Sequence, residues 1–446
     1  MSPPKTSALL VKGGTLLTMD ARRTVLTGDV LIEDGRITAI GSALSHPGAY
    51  VLDASDLIVL PGFIQTHVHL VQTLFRGVAD DVLLLDWLRT FIWPLEAAHD
   101  PDSVRASTRL AVAELLLGGT TAVLTMETVH HTEVVLETLA ELPIHATVGK
   151  CLMDAGDDVP RALIEPTGQA LERALELYER WDRAAGGRLR VALAPRFALS
   201  CSETLQREVA RIASQRSIPV HTHAAESPEE TAAVRRKFMS GNILLLDRLG
   251  LTAAPLKVAH CVHLEPGELE ILRDTGASVL HCPTANLKLG SGVAEVSGML
   301  ARGVRVSLGA DGAACNNSLS IFREMRHAAL LQKVRHGPEA LAAADVVALA
   351  TIEGARALGR EKEMGSLEAG KLGNLVVLDL QRLHTIPGRD PYGTIVYSAG
   401  AADVAFTIVT GQVVVSRGRL VNLSEGEIRV EAQREARRLL ERAHVS

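Results

Sequence analysis

Pro61-Gly62-Phe63-Ile64-Gln65-Thr66-His67-Val68-His69 is the stretch on which the fold turns. In an extended strand residues i and i+2 project to the same side, so His67 and His69 offer both imidazoles to one cation. The run leading into them, Leu57 to Ile64, is almost continuously apolar, which predicts a strand buried on both faces of a parallel sheet. Two histidines near a strand end also arise from packing alone, because short motifs recur by chance. The rest of the chain has to decide between the two.

Moving outward, two textures alternate. From Ala8 to Ile40 the pattern is short alternating strands, with Asp34-Gly35 as a hairpin turn between Val30-Leu-Ile and Ile37-Thr-Ala-Ile. The same texture returns after Gly370, in Asn374 to Asp379 and in two runs flanking Thr410-Gly411. Both chain ends therefore predict one small composite β-sandwich domain, 1–60 and 366–424. Between them, apolar strands alternate with helical patterns, the signature of βαβ units. The candidate strands are Leu57–Ile64, Ala122–Met126, Ile144–Val148, Leu189–Ala194, Ile218–His221, Leu256–Ala259, Ser278–Leu280 and Arg305–Gly309. Eight strands with intervening helices predict an α/β fold, a (β/α)8 TIM-type barrel over 61–365. Ser103–Leu117 reads as one helix closed by Gly118-Gly119, and Ser202–Ala213 as another opened by its serine. Residues 425–446 predict a C-terminal helix with a solvated Arg/Glu-rich face.

Composition narrows the partners. With 46 Lys+Arg against 52 Asp+Glu and no basic stripe, neither nucleic acid nor an anionic membrane surface is indicated, and a small ligand is. Five scattered cysteines without a Cys-X-X-Cys pair point to a reducing cytoplasm rather than a disulfide frame. The start, Met1-Ser-Pro-Pro-Lys5, leads into an alternating strand pattern with no secretory core, and no apolar stretch is long enough to span a bilayer.

Polar residues gather where a barrel keeps its active site, at the strand C-termini. The fifth strand ends in His221-Thr-His223 with Glu226 beyond it, and the sixth in Ala259-His260. The seventh ends in His281-Cys-Pro and the eighth in Gly309-Ala-Asp311. A packed barrel needs none of these groups for stability.

As a set, these motifs resemble the amidohydrolase superfamily, in its branch of mononuclear aminohydrolases and chlorohydrolases. The resemblance rests on Gly62 to His69, Thr222-His223-Ala-Ala-Glu226, Ala259-His260-Cys-Val-His263, His281-Cys-Pro-Thr-Ala-Asn286, Gly309-Ala-Asp311 and Gly365 to Lys371. It covers almost the whole chain. It implies one divalent metal, zinc before iron(II), held by His67, His69, His223 and Asp311, with Glu226, His260 and Asp311 in catalysis. A cation in such an N/O set lowers the pKa of a bound water. Asp311 would take that water's proton, Glu226 would protonate a ring nitrogen, and His260 would steady the attacking oxygen. Binuclear branches carry a lysine at the end of strand four, and Leu189 to Pro195 has none. His221 shares the side of the strand that bears His223, but the resemblance places ligation at His223 and leaves His221 in support.

The resemblance also bears on substrate. Leu74 to Asp81 and Leu85-Asp86-Trp87-Leu88 are similar to the loop after strand one in 5′-deoxyadenosine, methylthioadenosine and S-adenosylhomocysteine deaminases. There the acidic residue before the Trp holds ribose hydroxyls, which implies substrate binding by Asp86 and Trp87. Gln72 and Pro195-Arg196-Phe197 instead resemble guanine deaminases, in which that Gln and Arg contact the purine. An aminopurine nucleoside is the first expectation. Guanine, 8-oxoguanine, or an s-triazine losing ammonia or chloride are the alternatives. Relatives of this kind commonly form homo-oligomers.

Overall fold

The computed structural model describes residues 8–445, so Met1-Ser-Pro-Pro-Lys5 lies outside the described residues. Two compact units emerge. One takes the chain up to Gln65, Ala113–Val123 and Ser320–Glu425; the other takes Thr66–Val112, Leu124–Leu319 and the chain from Gly426 on.

The first unit carries a mixed sheet built from both chain ends. Its strands follow one path: Arg419–Leu420, Gln412–Ser416, Val404–Val409, Leu375–Leu378, Ile58–Pro61, Ala8–Leu17, Val25–Glu33 and Arg36–Gly41, with Tyr50–Asp53 beside Ala8–Leu17. Leu9, Val11, Val30 and Ile32 from the N-terminal end share a buried cluster with Leu375, Val377 and Ile408 from the C-terminal end. Both predicted turns are present. Asp34 and Gly35 have φ of 48° and 79°, and Thr410 and Gly411 have 49° and 74°. Positive φ at both central residues gives the twist that two-residue hairpins require.

The apolar run Leu57–Ile64 is a correction. It is not one strand: Ile58–Pro61 pairs antiparallel with Leu375–Leu378 in the mixed sheet, and after Gly62 a new strand, Phe63–His69, begins. Continuous hydrophobicity reports burial on both faces and is blind to a change of sheet.

That new strand is β1 of the barrel sheet. It is followed by β2 (Thr120–Met126), β3 (His145–Leu152), β4 (Leu189–Pro195), β5 (Val220–Ala224), β6 (Leu256–His260), β7 (Ser278–His281) and β8 (Arg305–Leu308). They hydrogen-bond in sequence order. The ring closes because β8 pairs with β7, while Asp311–Gly312, three residues further on, pairs in parallel with β1 through Asp311↔Val68 and Gly312↔His69. Between these two pairings lies Gly309. A Cβ there would stand 2.6 Å from both the backbone nitrogen and the oxygen of His67, so only glycine lets the eighth strand pass so close to the first.

The predicted helices are present as Pro101–Leu117 and Glu203–Arg216, the second capped by Ser202 Oγ accepting the Leu205 N–H at 3.0 Å. The C-terminal helix Glu425–Ala443 turns Ile428, Ala432 and Leu439 inward and keeps most of its arginines exposed. Among the described residues no helix is long and apolar enough to cross a membrane.

Candidate active site and metal centre

Every residue of β1 is buried, and its two-residue period sets His67 and His69 on the same side. The structure places both histidines inside the strand, and likewise His221 and His223 inside β5, rather than in loops beyond. Asp311 reaches the same point from the closing segment: its Oδ1 lies 3.2 Å from Nε2 of His67 and 3.2 Å from Nε2 of His69. Nε2 of His223 lies 3.3 Å from that of His69. The candidate ligand atoms of His67, His69, His223 and Asp311 all fall within 4.8 Å of one another, which brings together the four residues expected to hold a metal.

The far side of each ring is tied down. Nδ1 of His69 faces the Met126 carbonyl at 2.7 Å, and Nδ1 of His223 the Arg196 carbonyl at 2.8 Å. A carbonyl only accepts, so both Nδ1 atoms carry the proton and both Nε2 lone pairs turn inward. His67 Nδ1 shares a 2.8 Å hydrogen bond with Nε2 of His221, so His221 braces a candidate ligand ring and does not join the cluster. Nε2 of His67 is buried with no hydrogen-bond partner of its own. An orphaned imidazole nitrogen converging with two more and a carboxylate fits a divalent cation of borderline softness. His221→Phe is expected to lower metal affinity by about 10- to 100-fold, as competition with a chelator would measure; unchanged affinity would remove His221 from the support of His67.

Electrostatics separate the roles. Burial pulls His67 down to about 4, and burial with the neighbouring rings holds His223 well below its ordinary value, so both are neutral donors at neutral pH. Burial opposes protonation of His69 too, but its hydrogen bond to Asp311 wins and raises it, so a proton competes with a cation for that nitrogen. Burial alone would raise Asp311; the facing His67 and His69 overcome it and keep the carboxylate well below its usual range. Glu226 behaves oppositely. Burial first, and the charge of Asp311 second, push its carboxyl well above the usual range, favouring the acid form.

Glu226 and Asp311 flank His260, whose Nε2 is 3.5 Å from Glu226 Oε2 and 3.9 Å from Asp311 Oδ2. Asn286 fixes that ring through Nδ1 at 2.9 Å. His260 and Asp311 both sit at positive φ, 75° and 62°, conformations that non-glycine residues adopt at some expense and that concentrate at functional sites. The three expected catalytic residues thus meet at one wall.

The wall belongs to a pocket lined also by Gln72, Leu84, Trp87, Leu88, Arg196 and Glu230. Its empty volume, counted out to the mouth, is about 460 Å³, within the range of small-molecule sites. Leu84, Trp87 and Leu88 come from a segment that continues as a π-helical turn, Leu88–Ile92.

Four of the residues expected to bind substrate (Gln72, Trp87, Arg196 and Glu226) line this pocket. Asp86 does not. Leu84, Trp87 and Leu88 share the buried face at i, i+3 and i+4, which turns Asp86 to solvent with its side chain 68% exposed and 3.9 Å from Arg89. Gln72 and Arg196 are both tied to one carboxylate within the protein. Gln72 Nε2 donates to Glu96 Oε1 at 2.9 Å, and Arg196 grips both Glu96 oxygens. Glu96 went unread in the sequence, although Trp93-Pro94-Leu95-Glu96 sets a carboxylate among apolar neighbours, where an ion must be paired. Glu230 was missed too, hidden by the Ser227-X-X-Glu230 spacing of an ordinary helix start.

Comparison with known proteins agrees with this geometry. The Amidohydrolase family model matches residues 58–414. The chain is 37% identical over 420 residues to a 5-methylthioadenosine/S-adenosylhomocysteine deaminase of Desulforudis audaxviator, covering 93% of this chain and 95% of that one. It is 35% identical over 438 residues to a 5′-deoxyadenosine deaminase of Methanosarcina mazei, covering 98% and 99%. Among solved structures, an adenosine deaminase from Xanthomonas campestris with bound zinc superposes with a TM-score of 0.91 at 32% identity, over 98% of this chain and all of that one. With the histidine cluster, the closing aspartate and the buried acid on one barrel, the chain belongs to the amidohydrolase family.

Proposed function

We propose that this amidohydrolase is a metal-dependent hydrolytic deaminase whose substrate is an adenine nucleoside: 5′-deoxyadenosine, methylthioadenosine or S-adenosylhomocysteine. The observation that carries it is a buried acid, Glu226, beside a His67, His69, His223, Asp311 cluster in a single pocket. The likeness to deaminases of these nucleosides over nearly the whole chain supports the substrate class. Zinc is the proposed cation, iron(II) the second choice, and the reducing cytoplasm the proposed location, in keeping with five free buried cysteines.

Held by those four residues, the cation supplies an acidified water at neutral pH. The chain's own residues do the rest. Glu226, protonated, gives its proton to the ring nitrogen next to the amino-bearing carbon, which makes that carbon electrophilic. Asp311, ionised, takes a proton from the attacking water, and His260, fixed by Asn286, hydrogen-bonds the entering oxygen. A C–O bond forms, the C–N bond breaks, and the amino group leaves as ammonia carrying one proton of the water. The other water proton makes good the one Glu226 gave to the ring, and the oxygen remains as the carbonyl of the keto product.

A second reading, a guanine-type base as substrate, draws on Gln72 and Arg196 in the pocket wall. Gln72 Nε2 and the Arg196 guanidinium already serve Glu96, while Gln72 Oε1 is buried without a partner. An ammonia-release panel separates the readings: 5′-deoxyadenosine, methylthioadenosine, S-adenosylhomocysteine, guanine, 8-oxoguanine and melamine. Turnover of the nucleosides is expected. Turnover of guanine with none of the nucleosides would overturn the proposal.

A further inference from the structure

Glu230 holds its two carboxyl oxygens in unlike surroundings. The Glu226 backbone N–H at 3.2 Å, the Thr231 hydroxyl at 3.4 Å and the Asn242 amide at 3.5 Å all reach Oε2. Oε1 is buried with no partner, on a residue that lines the active pocket and is only 2% exposed. Helix capping accounts for one oxygen alone. Glu230 is the third residue of Pro228–Phe238, whose N-cap is Ser227, and it reaches back past the cap to the N–H of Glu226. Nothing in that role uses Oε1, and a stranded buried polar atom is costly unless a ligand completes it.

We infer that Glu230 is a substrate-holding residue: Oε2 anchors the main chain of Glu226, and Oε1 hydrogen-bonds the bound nucleoside. This rests on the aminopurine-deaminase reading above. Because three donors occupy the lone pairs of Oε2, the proton of the acid form sits on Oε1. Burial, then the neighbouring Glu226, push Glu230 up to about 8, so the acid form prevails at neutral pH. Oε1–H is then a donor, and its complement is a hydrogen-bond acceptor on the substrate, either a ring nitrogen or a ribose hydroxyl oxygen. No covalent step is asked of it. Glu226 acts on the reacting atoms, and Glu230 holds both Glu226 and the ligand.

Two variants and a set of analogues test this. Glu230→Leu removes both functions, whereas Glu230→Gln keeps an acceptor for the Glu226 N–H and an N–H in place of Oε1–H. On the parent nucleoside, Glu230→Leu is expected to raise KM by about 10- to 100-fold with a smaller change in kcat, and Glu230→Gln to recover most of that loss. The 3-deaza, 7-deaza and 2′,3′-dideoxy analogues locate the acceptor. The wild type should lose a similar factor on the one analogue that lacks it, and Glu230→Leu should be indifferent to that change. Calorimetric binding of the same compounds decides the matter apart from turnover. Unchanged affinity and KM in folded, metal-loaded Glu230→Leu would reduce Glu230 to a helix anchor and overturn the inference. A loss in Glu230→Gln equal to that in Glu230→Leu would overturn the donor role. Nucleosides that bind without releasing ammonia, and bind more weakly to Glu230→Leu, would strike the deaminase reading and leave Glu230 in place.

Discussion

Replacing Glu226 by Gln is expected to lower kcat by about 10²- to 10⁴-fold while the divalent metal stays bound. Glutamine preserves the shape and can still donate a hydrogen bond, but it has no proton to transfer to a ring nitrogen. Metal retention follows from geometry: the candidate ligand atoms of the histidine cluster come from His67, His69, His223 and Asp311, and none from Glu226. The pH profile carries the same signature. Burial and the charge of Asp311 raise Glu226 well above the usual carboxylate range, so the acid form is present at neutral pH and is lost as pH rises through the shifted value. Glu226 therefore contributes to the alkaline limb of kcat/KM alongside Glu230, and its contribution should be missing from the residual activity of the variant. Steady-state rates across pH, with elemental analysis of the metal, check this. A metal-loaded Glu226→Gln enzyme at the wild-type rate would remove Glu226 from the chemistry.

The candidate metal cluster was legible because each motif is local and the barrel does the assembling. His67-Val68-His69 needs only the two-residue period of a strand, and His223 and Asp311 needed only to lie at strand ends of the same closed sheet. What stayed hidden depends on partners distant in the chain. The change of sheet at Gly62 is set by pairing of Ile58–Pro61 with Leu375–Leu378, more than three hundred residues on, which no local pattern encodes. Asp86 was assigned by resemblance, and one short helical turn was enough to send its side chain outward while Trp87 next to it faces in. Glu230 is the opposite case. Its sequence context is a sound capping signal, and the capping is real, but one motif accounted for only one of two oxygens.

Gln72 and Arg196 were legible as pocket residues and illegible as a network, because the carboxylate that binds both sits 24 residues from the first and 100 from the second. The consequence is mechanical as well as chemical. Arg196 offers its main-chain carbonyl to His223 and its side chain to Glu96, so one residue links His223 to Glu96 and through it to Gln72.

That pair yields the second large effect. The Arg196 and Glu96 side chains are 5% and 1% exposed, so neither ion has water to fall back on once the other is gone. Arg196→Met is expected to destabilise the fold by about 3–5 kcal/mol, because it leaves a carboxylate buried and unpaired, and Glu96→Gln should do comparable harm by stranding the guanidinium. The double variant, Glu96→Gln with Arg196→Met, should recover much of the loss, since no unpaired charge remains and an amide at 96 can still meet Gln72. Acid unfolding separates the charge from the packing. Burial would raise Glu96, but Arg196 outweighs it and lowers it, so the pair's stabilisation is present above the ordinary glutamate pKa and fades as pH falls through the depressed one. The double variant should lack that acid-side decline. The His223 ring should keep its bond throughout, because it is made to the Arg196 main chain, and metal content should hold wherever the fold does. Denaturant midpoints for the four proteins complete the cycle: losses that simply add in the double variant would mean the two charges are not coupled, and that Arg196 stands in the pocket for the substrate rather than for Glu96.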